Sequence, residues 1–242
     1  MAEGNESAEI QKIEIEYNGP YIVHGGIPLV RKSQVVSEHG EPLTWRKDGT
    51  IPTDGEYRLC RCGHSKELPF CDSTHFEIDF DGTETADTGP AAARQEDLPG
   101  ERIVIKRDSS LCMNSGFCGN HLTQVEAMLA QSGESTVRAQ IIAMIERCPS
   151  GSYSYSIEPG GAEIEPDLPK QIAVMTEITS DGPIPGALWV TGGIPVERSD
   201  GEPFETRNRV TLCSCGLSAN KPLCDGTHRE HEVKKLRAQK PS

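Results

Sequence analysis

The feature that most constrains this chain is a cysteine–histidine pattern that occurs twice with one spacing: Cys60-x-Cys62-x8-Cys71-x3-His75 and Cys213-x-Cys215-x8-Cys224-x3-His228. Residues i and i+2 of an extended segment project to the same side, so Cys60 and Cys62 can grip one metal atom together. Cys71 and His75 stand four apart and share a face if a helix starts there. Asp72 and Asp225 are placed to cap such a helix, whose amides and dipole favour an anionic group. Two pairs of ligands predict a 2Fe-2S site. A single zinc ion held by three Cys and one His is the competing reading, although zinc motifs more often use C-x2-C pairs. A disulfide framework is the third.

The repeat extends beyond the cysteines. Asn18-Gly19-Pro20 returns as Asp181-Gly182-Pro183, Gly25-Gly26-Ile27-Pro28 as Gly192-Gly193-Ile194-Pro195, and Gly40-Glu41-Pro42-Leu43 as Gly201-Glu202-Pro203-Phe204. One unit therefore occurs twice. The first copy carries extra residues between these landmarks, which we read as longer hairpin loops. Residues 13–17 alternate with period two before Asn18-Gly19, and residues 21–23 or 188–190 supply the return strand, so a β-hairpin opens each unit. Only 35% of the 242 residues are hydrophobic and 5% aromatic, which argues for small domains rather than one large core. With 24 Gly and 17 Pro, turns and short strands are expected to dominate.

Residues 86–100 lack periodicity and read as a linker. Beyond it, residues 102–106 look like a strand, 122–131 and 137–147 like helices, and 153–157 like a second strand. Gly133 closes the first helix and Ser135 can cap the second. This β-α-α-β module holds Cys112-Met113-Asn114-Ser115-Gly116-Phe117-Cys118 and Cys148-Pro149. Bacterial cluster runs read C-x2-C-x2-C with a final Cys-Pro, so Ser115 stands where the second cysteine belongs. The simplest site is a 3Fe-4S cluster on Cys112, Cys118 and Cys148. A 4Fe-4S cluster is the alternative if Ser115, another group or solvent holds the fourth iron. Three reduced, metal-free cysteines are the plain reading beside both. The chain thus divides into a first unit (1–85), a linker (86–100), the inner module (101–160) and a second unit with a basic tail (161–242). The predicted fold class is α+β and β-rich.

A net charge of −13 opposes nucleic-acid binding and suits steering toward a basic redox partner, or simply solubility. Basic residues run together only at Lys234-Lys235-Leu236-Arg237. No apolar run reaches signal-peptide or membrane-span length, so a cytoplasmic protein with no membrane partner is expected. Nine cysteines cannot all pair, and in a reducing compartment clustered cysteines bind metal more often than they form disulfides. His64 and His231 break the ligand spacing, and His24, His39 and His121 have no evident partner. There is no dinucleotide fingerprint, P-loop or nucleophile elbow, so a carrier rather than an enzyme is expected. Electron transfer is the first expectation, cluster storage or delivery the second, and a metal-stabilised scaffold the third.

The segment from Cys213 to His228 resembles the complete signature of the CDGSH (NEET) iron-sulfur family, whose members bind a 2Fe-2S cluster through three Cys and one His. The first copy matches it through Ser65, Pro69, Cys71, Asp72 and His75, but carries Ser73 where the family has Gly. Tandem members resemble the family's homodimer folded within one chain. The resemblance therefore implies an intramolecular pseudo-dimer, monomeric overall, without the membrane anchor of some relatives. Residues 102–157 are similar to divergent single-cluster ferredoxin domains, through the C-x5-C segment and Cys148-Pro149-Ser150-Gly151.

Overall fold

The structure, a computed structural model, describes residues 10–119 and 123–239. His121 and the first residue of the predicted 122–131 helix lie outside them.

Strands β1 (Lys12–Ile15) and β2 (Tyr21–His24) form the opening hairpin. Their alternation buries Ile13, Ile15, Tyr21 and Val23 on one face, as the period-two pattern requires. Next come β3 (Leu29–Val36), β4 (Pro42–Ile51) and β5 (Tyr57–Leu59). The inner module contributes β6 (Glu96–Pro99), β7 (Val104–Arg107), α1 (Val125–Met128), α2 (Ser135–Arg147) and β8 (Tyr153–Ser156). The second unit supplies β9 (Gln171–Thr179), β10 (Gly182–Thr191), β11 (Val196–Glu197), β12 (Arg209–Leu212) and the terminal helix α3 (Thr227–Gln239). The fold is α+β and β-rich. No helix among the described residues is long and apolar enough to cross a membrane.

The two outer units complete each other's sheets. One sheet has the order β11-β1-β2-β5, in which β11 of the second unit lies parallel to β1 of the first. Another has the order β12-β10-β9-β3-β4, in which β3 of the first unit lies parallel to β9 of the second. Both units feed a shared apolar core that includes Ile13, Tyr21 and Leu59 from one and Ile172, Leu188 and Leu212 from the other. This reciprocal exchange is the expected pseudo-dimer. A buried ionic link joins the units as well: Glu84 lies 3.8 Å from Arg61 and 3.4 Å from Arg198, with all three side chains at most 3% exposed. The third sheet, β6-β7-β8, packs on α1 and α2 around Ile103, Ile105, Val125, Ile141 and Ile145 as a separate small core.

Several local expectations are revised. The first copy is indeed longer at β3-β4, but the opening hairpin is longer in the second copy. β9 and β10 extend beyond the lengths of β1 and β2 and break register between Pro185 and Leu188. Within the stretch read as a linker, β6 pairs with β7, because an edge strand beside an already ordered strand satisfies backbone groups that a bare linker would leave to water. The first inner helix shrinks to α1 plus one 3-10 turn, Leu129–Gln131. Helix α2 begins after Glu134 with no side-chain cap, so Ser135 is its first residue rather than its cap.

Candidate metal centres

Each outer motif folds as a loop tied by the same bonds. Ser65 Oγ donates to the Phe70 carbonyl at 2.7 Å, and Ser218 Oγ to that of Leu223 at 2.7 Å. One Asp72 oxygen accepts from the Lys66 amide at 2.8 Å and the other from the Thr74 amide at 3.0 Å. Asp225 repeats both contacts with Ala219 and Thr227, at 2.8 and 3.0 Å. The aspartate thus ties the middle of the eight-residue loop to the turn that follows it, more than the helix cap expected of it. After Asp225 comes the full helix α3, whereas after Asp72 there is only a 3-10 turn, Thr74–Phe76.

These loops deliver the donors in pairs. Cys60 and Cys62 sulfurs are 3.7 Å apart, as are those of Cys213 and Cys215. His75 Nδ1 is 3.4 Å from the Cys71 sulfur, and His228 Nδ1 3.4 Å from that of Cys224. Backbone amides add to this cradle: Gly63 N–H donates to Cys60 Sγ at 3.3 Å and Ser73 N–H to Cys71 Sγ at 3.4 Å. Among the described residues no three His, Cys, Asp or Glu side chains gather round a single-ion position. Two donor pairs per motif suit a two-iron cluster better than one tetrahedral zinc ion.

The thiols also have the electrostatics of a cationic metal site. Burial pushes Cys62 up to about 11, with Cys60 adding to the rise, and lifts Cys71 and Cys224 as well. In the second motif the hydrogen bond between the two sulfurs holds Cys213 down, to about 6, and pushes Cys215 up. Crowded, buried thiols ionise against each other at a cost that iron removes. In the inner module Cys118 is pushed up to about 11 by burial and then by Cys148 and Cys112, so these three thiols also share one locality. Asn114, at φ 59, turns its amide to Cys112 Sγ at 3.4 Å.

A family model described as iron-binding zinc finger, CDGSH type, matches residues 18–76 and 185–229. A second, described as a divergent 4Fe-4S mono-cluster, matches residues 98–158 between them. The chain is a tandem CDGSH-type iron-sulfur protein with an inserted single-cluster domain. No curated protein matches its sequence significantly.

The two CDGSH loops meet across the pseudo-two-fold. A Cβ on Gly63 would lie 2.6 Å from the Cys215 carbonyl oxygen, and one on Gly216 would lie 2.6 Å from that of Cys62. Both glycines adopt positive φ, 80° and 77°, so only glycine meets both demands. Cys60 of the first motif and Cys215 and His228 of the second line one cavity of about 430 Å³.

The inserted domain packs on the second CDGSH loop. Asn114 Nδ2 donates to the Asp225 carbonyl at 3.3 Å, and a Cβ on Gly226 would sit 2.7 Å from the Met113 carbonyl. Asn220 Nδ2 donates to the Ser110 carbonyl at 2.8 Å. Gln34 Nε2 donates to the carbonyl of Ser115, which is itself buried.

The sequence reading missed Gly63, Gly216 and Glu177. The glycines had a signal, since each follows its C-x-C pair directly. Glu177, fully buried, accepts from His228 Nε2 at 2.7 Å and also pairs with Arg229. No spacing in the sequence connects it to His228. The bland readings hold for His64, whose Nδ1 meets the Cys62 carbonyl at 2.8 Å, and for exposed His231, which pairs with Glu232 at 3.9 Å. His24 lies between Glu14 and Glu56, at 3.5 and 3.2 Å.

Proposed function

We propose that this protein carries electrons through three iron-sulfur clusters that adjoin within one chain. The observation that carries this reading is the contact sequence Cys112 loop, Asp225-Gly226 loop, Cys215-Gly216 loop, Cys62-Gly63 loop, in which each site's backbone touches the next. Cys60, Cys62, Cys71 and His75 would hold one 2Fe-2S cluster, and Cys213, Cys215, Cys224 and His228 a second. Cys112, Cys118 and Cys148 would hold a 3Fe-4S cluster, or a 4Fe-4S cluster given a fourth ligand. Bound clusters supply one-electron redox chemistry. The chain's own residues bury the sulfurs, donate amides to them and keep the loops at backbone contact through Gly63, Gly216 and Gly226. A net charge of −13 suits steering a basic protein partner onto this surface. The clustered, odd-numbered cysteines suit a reducing compartment such as the cytoplasm. The internal sheet exchange suits a monomer, since tethering lets the two units pair without a second chain.

The test is anaerobic purification followed by iron, sulfide and zinc analysis, then reduction by a flavoprotein reductase. Two 2Fe-2S and one 3Fe-4S cluster give about seven irons by ligand arithmetic, and a 4Fe-4S cluster about eight. Electron uptake without cluster loss supports the reading. Stoichiometric zinc with little sulfide would overturn it. Cluster delivery is a second reading, favoured at the first site, where His75 Nε2 is buried with no hydrogen-bond partner among the described residues, beside a cavity of about 310 Å³. Rapid transfer of that cluster alone to an apo-ferredoxin would favour it.

A further inference from the structure

The two CDGSH motifs have the same ligand set and the same loop bonds, yet their histidines stand in different surroundings. His228 Nε2 meets the Glu177 carboxylate at 2.7 Å, and Glu177 is held from its other oxygen by Arg229. Glu177 is fully buried and His228 is 3% exposed, so no solvent dilutes this contact. His75 is also buried, and among the described residues its Nε2 has no hydrogen-bond partner. Two carboxylates, Asp79 and Asp81, line the cavity beside it, but neither bonds to that nitrogen, and Asp81 accepts instead from the Thr83 amide at 2.9 Å.

The difference comes from the hairpins. Leu188 pairs with Val174 in the second unit as Tyr21 pairs with Ile15 in the first. Past that pair, β1 ends at once, whereas β9 runs on to Thr179 and carries Glu177 over α3. The carboxylate therefore rides on a strand extension that the first unit lacks.

A carboxylate on the far nitrogen of a metal-ligating imidazole fixes the tautomer and ring orientation and makes the ligating nitrogen a stronger donor. A stronger donor stabilises oxidised iron and holds it longer. Arg61, between the cysteines of the first pair, does not offset the difference, because buried Glu84 faces it while Arg198, which also meets Glu84, has Asp200 as a partner of its own. We infer that Glu177 is a positioning residue that makes the two CDGSH sites inequivalent, so that the cluster on His228 has the lower potential and the slower loss. The inference rests on the reading that both outer motifs bind 2Fe-2S clusters.

The experiment uses the full chain, with the first cluster as internal reference. Both potentials are read by stepwise reduction with dithionite, one electron per cluster, followed by electron paramagnetic resonance. The signals are assigned with His75→Cys and His228→Cys. Loss is read from the decay of visible absorbance in the presence of a chelator. In Glu177→Gln the second potential should rise toward the first and its cluster should be lost about tenfold faster, with the first site unchanged. In Arg229→Gln, which leaves the carboxylate to the imidazole alone, the second potential should fall. A merely structural role moves both variants the same way, and that result overturns the inference, as does an unchanged or uniformly shifted pair of potentials in Glu177→Gln. Absence of 2Fe-2S signals from the unmodified chain would instead overturn the cluster reading itself.

Discussion

The two CDGSH units repeat one motif but hold different positions in the molecule. The second is enclosed: α3 continues from its histidine, Glu177 backs its imidazole, and the inserted domain sits on its Asp225-Gly226 turn. The first ends in a single 3-10 turn, and its corresponding turn residue, Ser73, is exposed at φ 72°. Ser73 and Gly226 show what the difference teaches. Both backbones are left-handed, so both would favour glycine, but only at Gly226 does a neighbouring carbonyl occupy the space of a side chain. The departure from the family pattern falls where nothing packs on the turn.

The largest expected effects test whether the units are independent metal sites. Cys60→Ser and Cys213→Ser should each cost one outer cluster, about two irons, and leave the other visible in the absorption spectrum. Loss of both clusters from either variant would mean that the motifs do not assemble separately. Glu84→Gln tests the opposite property, their union. Removing the partner of buried Arg61 and Arg198 should destabilise the chain by about 3–5 kcal/mol in denaturant unfolding. A loss under 1 kcal/mol would show that water already screens the pair.

Exchanging the turn residues sharpens the comparison. Gly226→Ser should cost about 1–3 kcal/mol through strain against the Met113 carbonyl and should loosen the inserted domain, read as faster proteolysis between the domains. Ser73→Gly should stay within about 0.5 kcal/mol, as for a surface change. Equal effects at the two positions would remove the packing explanation. Replacing either histidine by Cys should lower that site's potential and flatten its pH slope between about pH 6 and pH 9, because a neutral ligand becomes an anionic one. If both variants keep the parent potential, neither histidine binds iron.

A smaller, pH-dependent effect concerns the loop aspartates. Burial works against the Asp225 carboxylate, but the Thr227 and Ala219 amides outweigh it and hold its pKa below the ordinary value. A depressed folded value stabilises above the unfolded pKa of about 3.9 and is lost as pH falls through the folded one. Asp225→Asn should therefore cost about 1 kcal/mol at neutral pH and less in acid, measured by denaturant midpoints. A cost that grows on acidification contradicts the sign.

The repeat, the paired donors and the separate inner module were legible in the chain because they are local: two residues share a strand face, four residues span a helical turn, and alternation marks a strand. The Asp-tied loops follow from the same short-range chemistry. Even the exchange of sheets was foreshadowed by duplication, since a surface that occurs twice can pair with itself. What only the tertiary structure decided was which copy received which neighbour. Glu177 lies 51 residues from His228 and reaches it only because β9 outgrows β1. Met113 reaches Gly226, rather than Ser73, only because the inserted domain sets its Cys112 loop against the second motif. Contacts of that separation depend on strand length and domain placement, which no residue pattern near either partner encodes. Two nearly identical motifs could therefore be read from sequence as equals, and the packing around them made them different.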